Sequence, residues 1–349
     1  MDIQKQKGGD NSQNIQVNGN VTIGISYDEA RQIALDVFNA NCQTMMSEAV
    51  QIADTRKNEI VDELIKRLYD EHPELSIRLK DPSIQYSLFS VIKNYVRTGD
   101  PDLEEQLLRM LILRMESKDR SLEQIVLDEA IEIVPKLTQD QINILSLVTS
   151  AIYINHHDIN NLSKLNDFIN CQLMIFYPTK RSESSYTHLQ YTGCCTFLPE
   201  GATYKPFTVL LGNRYSGLLN KGFNQEMLEQ AFPEDHEKLL PLLTRCQHNQ
   251  NLLQFNAINE SVLKREIERL NLNDLSDKIL QLHNQHQMND DEIKSYLISI
   301  NPEINNFLNQ WSGEFSRLKS IALTPVGFAI ALLNYNIQTK SNLRLGVFI

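Results

Sequence analysis

The sequence predicts a mainly α-helical protein: a multi-helix array with a short N-terminal β-hairpin or β-solenoid-like motif and an irregular central insertion. Three observations predict it. Apolar residues recur at steps of three and four through most of the chain, the helical period. Apolar and polar residues alternate on either side of Asn18-Gly19 within residues 15–25, and period two is the strand signature. Gly, Pro, Tyr, Ser and Thr concentrate between Thr179 and Phe223, where helical spacing fades. The expected divisions are residues 1–25 as a β oligomerisation motif, 26–178 as a helical domain opening on a long helix, 179–223 as the irregular segment and 224–349 as a second helical domain.

In the N-terminal motif Ile15 and Val17 alternate with polar residues, as do Val21, Ile23 and Ile25, and Asn18-Gly19 is a turn signal between the two sets. A two-residue loop would set Val17 against Asn20 and send the two apolar sets to opposite faces. A three-residue loop, Asn18-Gly19-Asn20, pairs Val17 with Val21 and Ile15 with Ile23 on one face, and is preferred. The six-residue offset also suits successive strands of a β-solenoid rung. Either form is too small to hold alone, so the ribbon is expected to dock on the body or, by preference, on copies of itself, because an open strand edge templates pairing. A disordered tail is the bland alternative. One Gly-Gly-Asp stretch with no second carboxylate nearby is not a calcium site.

Ser26-Tyr27-Asp28-Glu29 reads as a capping box opening a helix to about Glu71. Ala30, Ile33, Val37, Met45, Ala49, Ile52, Ile60, Leu64 and Leu68 keep helical spacing, and no Gly or Pro intervenes before Pro73. Unbroken, it would span roughly 65–70 Å, long enough to call for a coiled-coil or bundle partner. A break near residues 54–58 is the alternative. Asp81-Pro82 and Asp100-Pro101 each supply an N-cap and a first-turn proline. Further helices are expected to open at Ser121, at the capping box Thr138-Gln139-Asp140-Gln141 and at Asp158. Beyond the insertion, helices are expected near 224–231, 234–256, 260–270, 274–286, 289–299, 302–320 and 325–335. Short strands are expected at Thr196-Phe197 and in an alternating tail from Leu343 to Ile349. The run Phe207-Thr208-Val209-Leu210-Leu211 fits either a strand or a helix start.

Over 349 residues, 42% hydrophobic and 22% charged residues describe an ordinary globular chain, not a disordered one. A formal net charge of −11 argues against sequence-independent nucleic-acid binding. A winged-helix reading of the C-terminal half is equally disfavoured, because Arg317, Lys319, Lys340 and Arg344 are scattered. The absence of a long apolar run argues against membrane insertion. A polar start, with no apolar signal region, and five irregularly spaced cysteines suggest reduced thiols in the cytoplasm.

The N-terminal stretch Gly-Asp-Asn-Ser-Gln-Asn-Ile-Gln-Val-Asn-Gly-Asn-Val-Thr-Ile-Gly is similar to the leader of uncharacterised bacterial proteins found near mobile elements and phage-defence loci. Pro135-Lys136-Leu137 to Leu147, the Gly212 to Phe223 segment and Leu323-Thr324-Pro325-Val326-Gly327 resemble the same group. The resemblance implies a bacterial cytosolic protein with a place in antiviral defence. It brings no activity and no catalytic residues.

Candidate sites are few. Cys194-Cys195 follow His188 by six and seven residues, so His188 is the candidate base for a Cys194 nucleophile, against the reading that both cysteines are buried small hydrophobes. Gly212-Asn213-Arg214-Tyr215-Ser216-Gly217 has Walker-like glycine spacing, but Leu218-Leu219 follow and it fails as a phosphate loop. Arg214, Tyr215 and Lys221 remain candidates for a ligand or partner, with Tyr191, Tyr204 and Phe223 near in sequence. The preferred reading makes the glycines turn residues and the aromatics core anchors. His156-His157-Asp158, and His283 and His286 with Asp290 or Asp291, lack the ligand geometry of a metal site, so no metal and no cofactor is expected. Trp311 reads as core beside Phe307, Leu308 and Phe315. The leading expectation is an oligomeric adaptor or sensor that engages another protein, such as a phage-derived one, with Ile15, Val17, Val21, Ile23 and Ile25 driving assembly. The alternative is an unfamiliar hydrolase or nucleotide-responsive effector using residues 188–221.

Overall fold

A computed structural model describes residues 7, 9–10, 26–117, 120–156, 158–177, 180–313 and 316–347. The chain is mainly α-helical, and its described residues fall into two units, Met1–Val61 and Asp62–Ile349. The ribbon residues Ile15, Val17, Val21, Ile23 and Ile25 lie outside the described residues.

The unit boundary falls within the first helix, α1 (Tyr27–Asp70). Its 44 residues correspond to about 66 Å at 1.5 Å per residue. The expected capping box is present: the Glu29 N–H donates to Ser26 Oγ (3.2 Å) and the Ser26 N–H to Glu29 Oε2 (2.9 Å). The helix does not break at 54–58. There the Thr55 hydroxyl donates to the Gln51 carbonyl (3.0 Å), and Lys57 pairs with Asp54 (2.6 Å), so polar side chains bond along the helix rather than against it.

The second unit begins with α2 (Pro82–Thr98), α3 (Pro101–Glu116) and α4 (Leu122–Ile133). Their ends follow the sequence signals. Asp81 and Asp100 cap α2 and α3 ahead of Pro82 and Pro101, and Gly99, in the left-handed region at φ 63°, ends α2. Then come α5 (Gln139–Val148), which extends as a π turn to Tyr153, and α6 (Leu162–Phe168), which extends likewise to Leu173. The two π turns are tied where the Ser150 hydroxyl donates to the Gln172 carbonyl (2.8 Å). α6 opens at Asn161, whose side chain accepts from the Lys164 N–H, and not at Asp158 as expected; Asn161 lies next to the first helical residue.

The insertion holds α7 (Glu183–Tyr191), β1 (Cys195–Phe197) and α8 (Phe207–Arg214), so Phe207 to Leu211 resolve as helix. Next come α9 (Gln225–Ala231), β2 (Leu243–Arg245), β3 (Leu253–Phe255), α10 (Glu260–Arg269), α11 (Ser276–Gln285), α12 (Asp290–Ile300) and α13 (Ile304–Ser312). The helix expected over 234–256 is replaced. A 3-10 turn, His236–Leu242, contains Pro241, which cannot donate to a helical ladder. The chain then makes an antiparallel hairpin, Leu243 opposite Phe255 and Arg245 opposite Leu253. The turn is set by Asn249, whose side chain accepts from the Asn251 N–H (3.0 Å), a local bond that competes with helix. Helix 302–320 is likewise shorter than expected, because α13 stops before Gly313.

β4 (Ile321–Leu323) pairs antiparallel with β1, and α14 (Pro325–Thr339) follows behind the Thr324 cap. Every residue of α14 from Val326 to Tyr335 is buried. It is apolar on all sides, the pattern of a central helix, and packs on α4 and α5. Its one buried amide, Asn334, bonds Ser146 Oγ (2.8 Å), Asn143 Oδ1 (3.2 Å) and Gln139 Nε2 (3.1 Å), which offsets the cost of placing it there. A second cluster, including Phe223, Phe232, Phe255, Leu263 and Ile279, forms the core around the hairpin, α10 and α11. No terminal strand forms among the described residues: Leu345–Val347 is a 3-10 turn. The Asn336 side chain captures Leu343, donating to its carbonyl (2.9 Å) and accepting from its N–H (3.1 Å), which uses the backbone groups a strand would need. No helix among the described residues is long and apolar enough to cross a membrane.

Candidate functional site

The structure spreads the candidate residues of 188–221 over several environments. His188, on α7, is half-buried; its Nδ1 meets Gln141 Nε2 at 3.0 Å, and its ring lies 6.4 Å from that of Tyr191. Cys194 is fully buried one turn beyond α7, and its Sγ accepts from the Thr192 hydroxyl (3.4 Å). Burial pushes the Cys194 thiol up, and pushes Cys195 up to about 12. Both shifts disfavour the thiolate that a nucleophile needs. The polar contacts of His188 and Cys194 go to Gln141 and Thr192, not to each other.

The same stretch is a junction of the fold. The Thr324 N–H donates to the Cys194 carbonyl (3.1 Å) and the Thr324 hydroxyl to the Gly193 carbonyl (2.5 Å). Gly327 packs so closely on Cys194 that a Cβ there would overlap the Cys194 carbonyl. The Leu323 to Gly327 stretch singled out in the sequence is therefore the backbone seat for residues 193–195.

Arg214 ends α8 facing inward. Its guanidinium donates to the carbonyls of Ile152 (3.3 Å) and Ile154 (3.4 Å), at the end of the π turn, and burial lowers its pKa. Tyr215 is fully buried, and burial pushes its hydroxyl up to about 12. Lys221 is exposed and pairs with Glu292 at 3.1 Å. Of these three candidates only Lys221 is exposed. Tyr204 bonds Tyr153 (3.0 Å), Phe223 is core, and Tyr191 is exposed. Gly217 carries no phosphate-loop geometry; it sits where a Cβ would overlap the Ala257 carbonyl, and its N–H donates to the Ile258 carbonyl (2.9 Å).

The histidine pairs also separate. His156 packs on the Phe168 ring at 4.6 Å, and His157 lies outside the described residues. His283 is buried with its Nε2 3.1 Å from the Ser216 hydroxyl, while His286 rests against the Phe223 ring at 5.7 Å. No cluster of three or more His, Cys, Asp or Glu fit to hold a metal occurs among the described residues. Trp311 is fully buried against Phe307 and Phe207, with its Nε1 donating to the Lys205 carbonyl (3.0 Å).

Burial holds His248, His283 and His286 below the ordinary 6.5, with Glu260 opposing the shift at His283. The unfolded chain therefore takes up protons at these sites first. Their contribution to stability is complete above about pH 6.5 and declines as pH falls below it. A lower melting temperature is expected at pH 5.5 than at 7.5, and the difference should shrink in His283→Gln. An equal difference in that variant would assign the acid sensitivity to other groups.

The feature that sequence reading brought out only as helical spacing lies in the first unit. Val37, Phe38, Met45, Met46, Val50 and Ile52 are exposed there, with Phe38 at 65% and Met45 at 68%. Phe38, Met45 and Ile52 recur every seven residues, with Ala49 between the last two. Seven residues is the interval at which a helix returns to nearly the same face, so these side chains lie in one row.

A family model whose description, ":-like", states no activity matches residues 24–349. The match covers both described units from the end of the ribbon onward, including the three internal stretches that carry the resemblance. No curated protein and no solved structure matches the chain.

Proposed function

The chain belongs to the family whose model spans residues 24–349, and from the exposed apolar row of its first helix we propose that it is an oligomeric protein-interaction or sensor protein. The observation that carries this reading is that Phe38, Met45 and Ile52, with Val37, Met46 and Val50 beside them, are each more than half exposed. A second copy is the partner we favour. The row directly follows the alternating apolar ribbon of Ile15, Val17, Val21, Ile23 and Ile25, so two assembly-prone elements stand in succession. Exposed apolar area of this kind contributes about 25 cal/mol per Å² when removed from water.

The finer reading is a cytoplasmic sensor in bacterial antiviral defence with a phage-derived protein as its partner. It rests on the leader's resemblance. The alternative, a hydrolase or nucleotide-responsive effector using residues 188–221, gains no support from the placement of Cys194, Arg214 and Tyr215, whose contacts are internal. Thermal-shift screening against nucleotides and metals discriminates it, since a ligand of the folded state raises stability by mass action.

Light scattering coupled to size exclusion tests assembly. The full chain should run as a multiple of its 40.2 kDa. Removal of residues 1–25 should lower the copy number, and Phe38→Glu/Met45→Glu/Ile52→Glu should lower it further. A 40.2 kDa full-length species would end the proposal, and equal copy number for the full chain and both variants would remove these two elements from it.

A further inference from the structure

Within the second unit lies a cleft of about 1100 Å³, bounded by the last turns of α1, by α3, by the start of α4, by α14 and by the chain after α14. Beneath its charged side chains its lining includes Leu113, Leu127, Leu332, Leu333 and Leu345, the last four buried. The far wall is pinned, because Leu343 is held at both backbone groups by the Asn336 side chain.

Its charges divide into spent and unspent. Arg67 bonds Glu63 (2.8 Å) and Glu105 (2.6 Å), and Arg109 also pairs with Glu105, so these four neutralise one another. Asp70 and Glu123 have no cationic partner within 4 Å among the described residues. Glu71 and Glu116 face His72, at 4.0 and 3.5 Å. Lys66, already 3.6 Å from Glu63, and Arg344 are the basic groups set against them. The rim is acidic over an apolar floor, and the chain's net charge of −11 draws cations towards it. At about 1100 Å³ the open cleft lies at the upper end of ordinary ligand sites, with room for several side chains of a peptide segment.

We propose that the cleft binds a short segment of another protein that presents Lys or Arg beside aliphatic side chains. The aliphatic side chains would lie on the leucine floor, and the cations would meet Asp70 and Glu123. This goes beyond assembly through the first unit and does not depend on it, since a monomer would carry the same cleft.

Fluorescence anisotropy with the full chain tests it. The probe is a labelled twelve-residue peptide of leucine and lysine at helical spacing. Two controls are a lysine–serine peptide of equal charge and a leucine–glutamate peptide. The leucine–lysine probe should bind saturably, and each control at least tenfold more weakly. Asp70→Lys/Glu123→Lys should weaken the probe at least tenfold with an unchanged melting temperature. Asp70→Lys alone, at an exposed position, should weaken it severalfold if the double variant does not fold. The absence of saturable binding overturns the proposal. So does equal binding by the serine control, which would make the attraction charge alone, or equal binding by the folded charge-reversed variants.

Discussion

Gly327→Ala is expected to destabilise the second unit by about 3 kcal/mol, the upper part of the range for overpacking a close-packed site. The added methyl would meet the Cys194 backbone, not the movable end of a side chain. Neither neighbour can yield. Cys194 is held by the Thr324 N–H, and Gly327 lies in the first turn of α14, where its own N–H donates to Thr324 Oγ1 (3.1 Å). Relief would mean lifting α14, whose buried side chains fill the centre of the unit. Gly217→Ala is expected to behave alike, because its methyl would meet the Ala257 carbonyl. Gly346→Ala serves as control, since its nearest neighbour, Glu123 Oε2, is an ordinary contact at 3.5 Å. Thermal denaturation should place both close-contact variants roughly 5 °C below wild type and the control within about a degree. Wild-type melting in Gly327→Ala would mean that α14 and residues 193–195 are not seated as described.

Two of the three internal stretches that resemble the bacterial group contain these glycines. Close backbone approach accounts for both glycines without any ligand. That bears on how much of the molecule could be read beforehand. Helix starts were legible at Ser26, Asp81, Asp100, Thr138 and Thr324, which all accept the predicted backbone hydrogen bonds, but not at Asn161 or Ser182, which cap α6 and α7 in the same way. These signals are local, so a one-dimensional string contains them. The hairpin Leu243 to Phe255 was not legible. Its strands are three residues each, below the length at which alternation can be told from helical spacing, and their apolar side chains pack on α10 and α11, which lie later in the chain.

The candidate sites failed to assemble for a related reason. Arg214, Tyr215 and Cys194 stood out because polar or reactive groups were gathered in a Gly-rich stretch. The sequence holds no record of which carbonyls would be left open at the π turn ending at Tyr153, and those are what Arg214 satisfies. The cleft was invisible for the opposite reason. Its aliphatic floor and acidic rim come from five separated elements, none of which carries a motif. The exposed row of Phe38, Met45 and Ile52 was partly legible, as helical spacing. Only a folded chain distinguishes a row that is buried from one that is not.

Asp128→Ala is expected to cost about 3 kcal/mol, through the charge it leaves behind. Arg114, on α3, is 1% exposed, and its Nε donates to Asp128 Oδ1 on α4 at 2.8 Å. Its Nη2 donates to Ser83 Oγ on α2 (3.3 Å), and the Ser87 hydroxyl donates to the same Asp128 oxygen (2.8 Å). One carboxylate thus joins three helices. Asp128 is 37% exposed and solvent partly screens it, which sets the expectation at the low end of the roughly 3–5 kcal/mol for breaking a fully buried pair. Arg114 Nη1 is buried without a partner among the described residues, so the guanidinium is already incompletely solvated. Removing both charges should therefore cost less than removing the carboxylate alone. Arg114→Met/Asp128→Leu should recover most of the stability lost in Asp128→Ala, because a well-packed apolar pair avoids the desolvation of both ions. Urea denaturation of the single and double variants gives the coupling energy directly. Costs that simply add would show that the two charges do not depend on each other, and that α2, α3 and α4 are held by their apolar contacts alone.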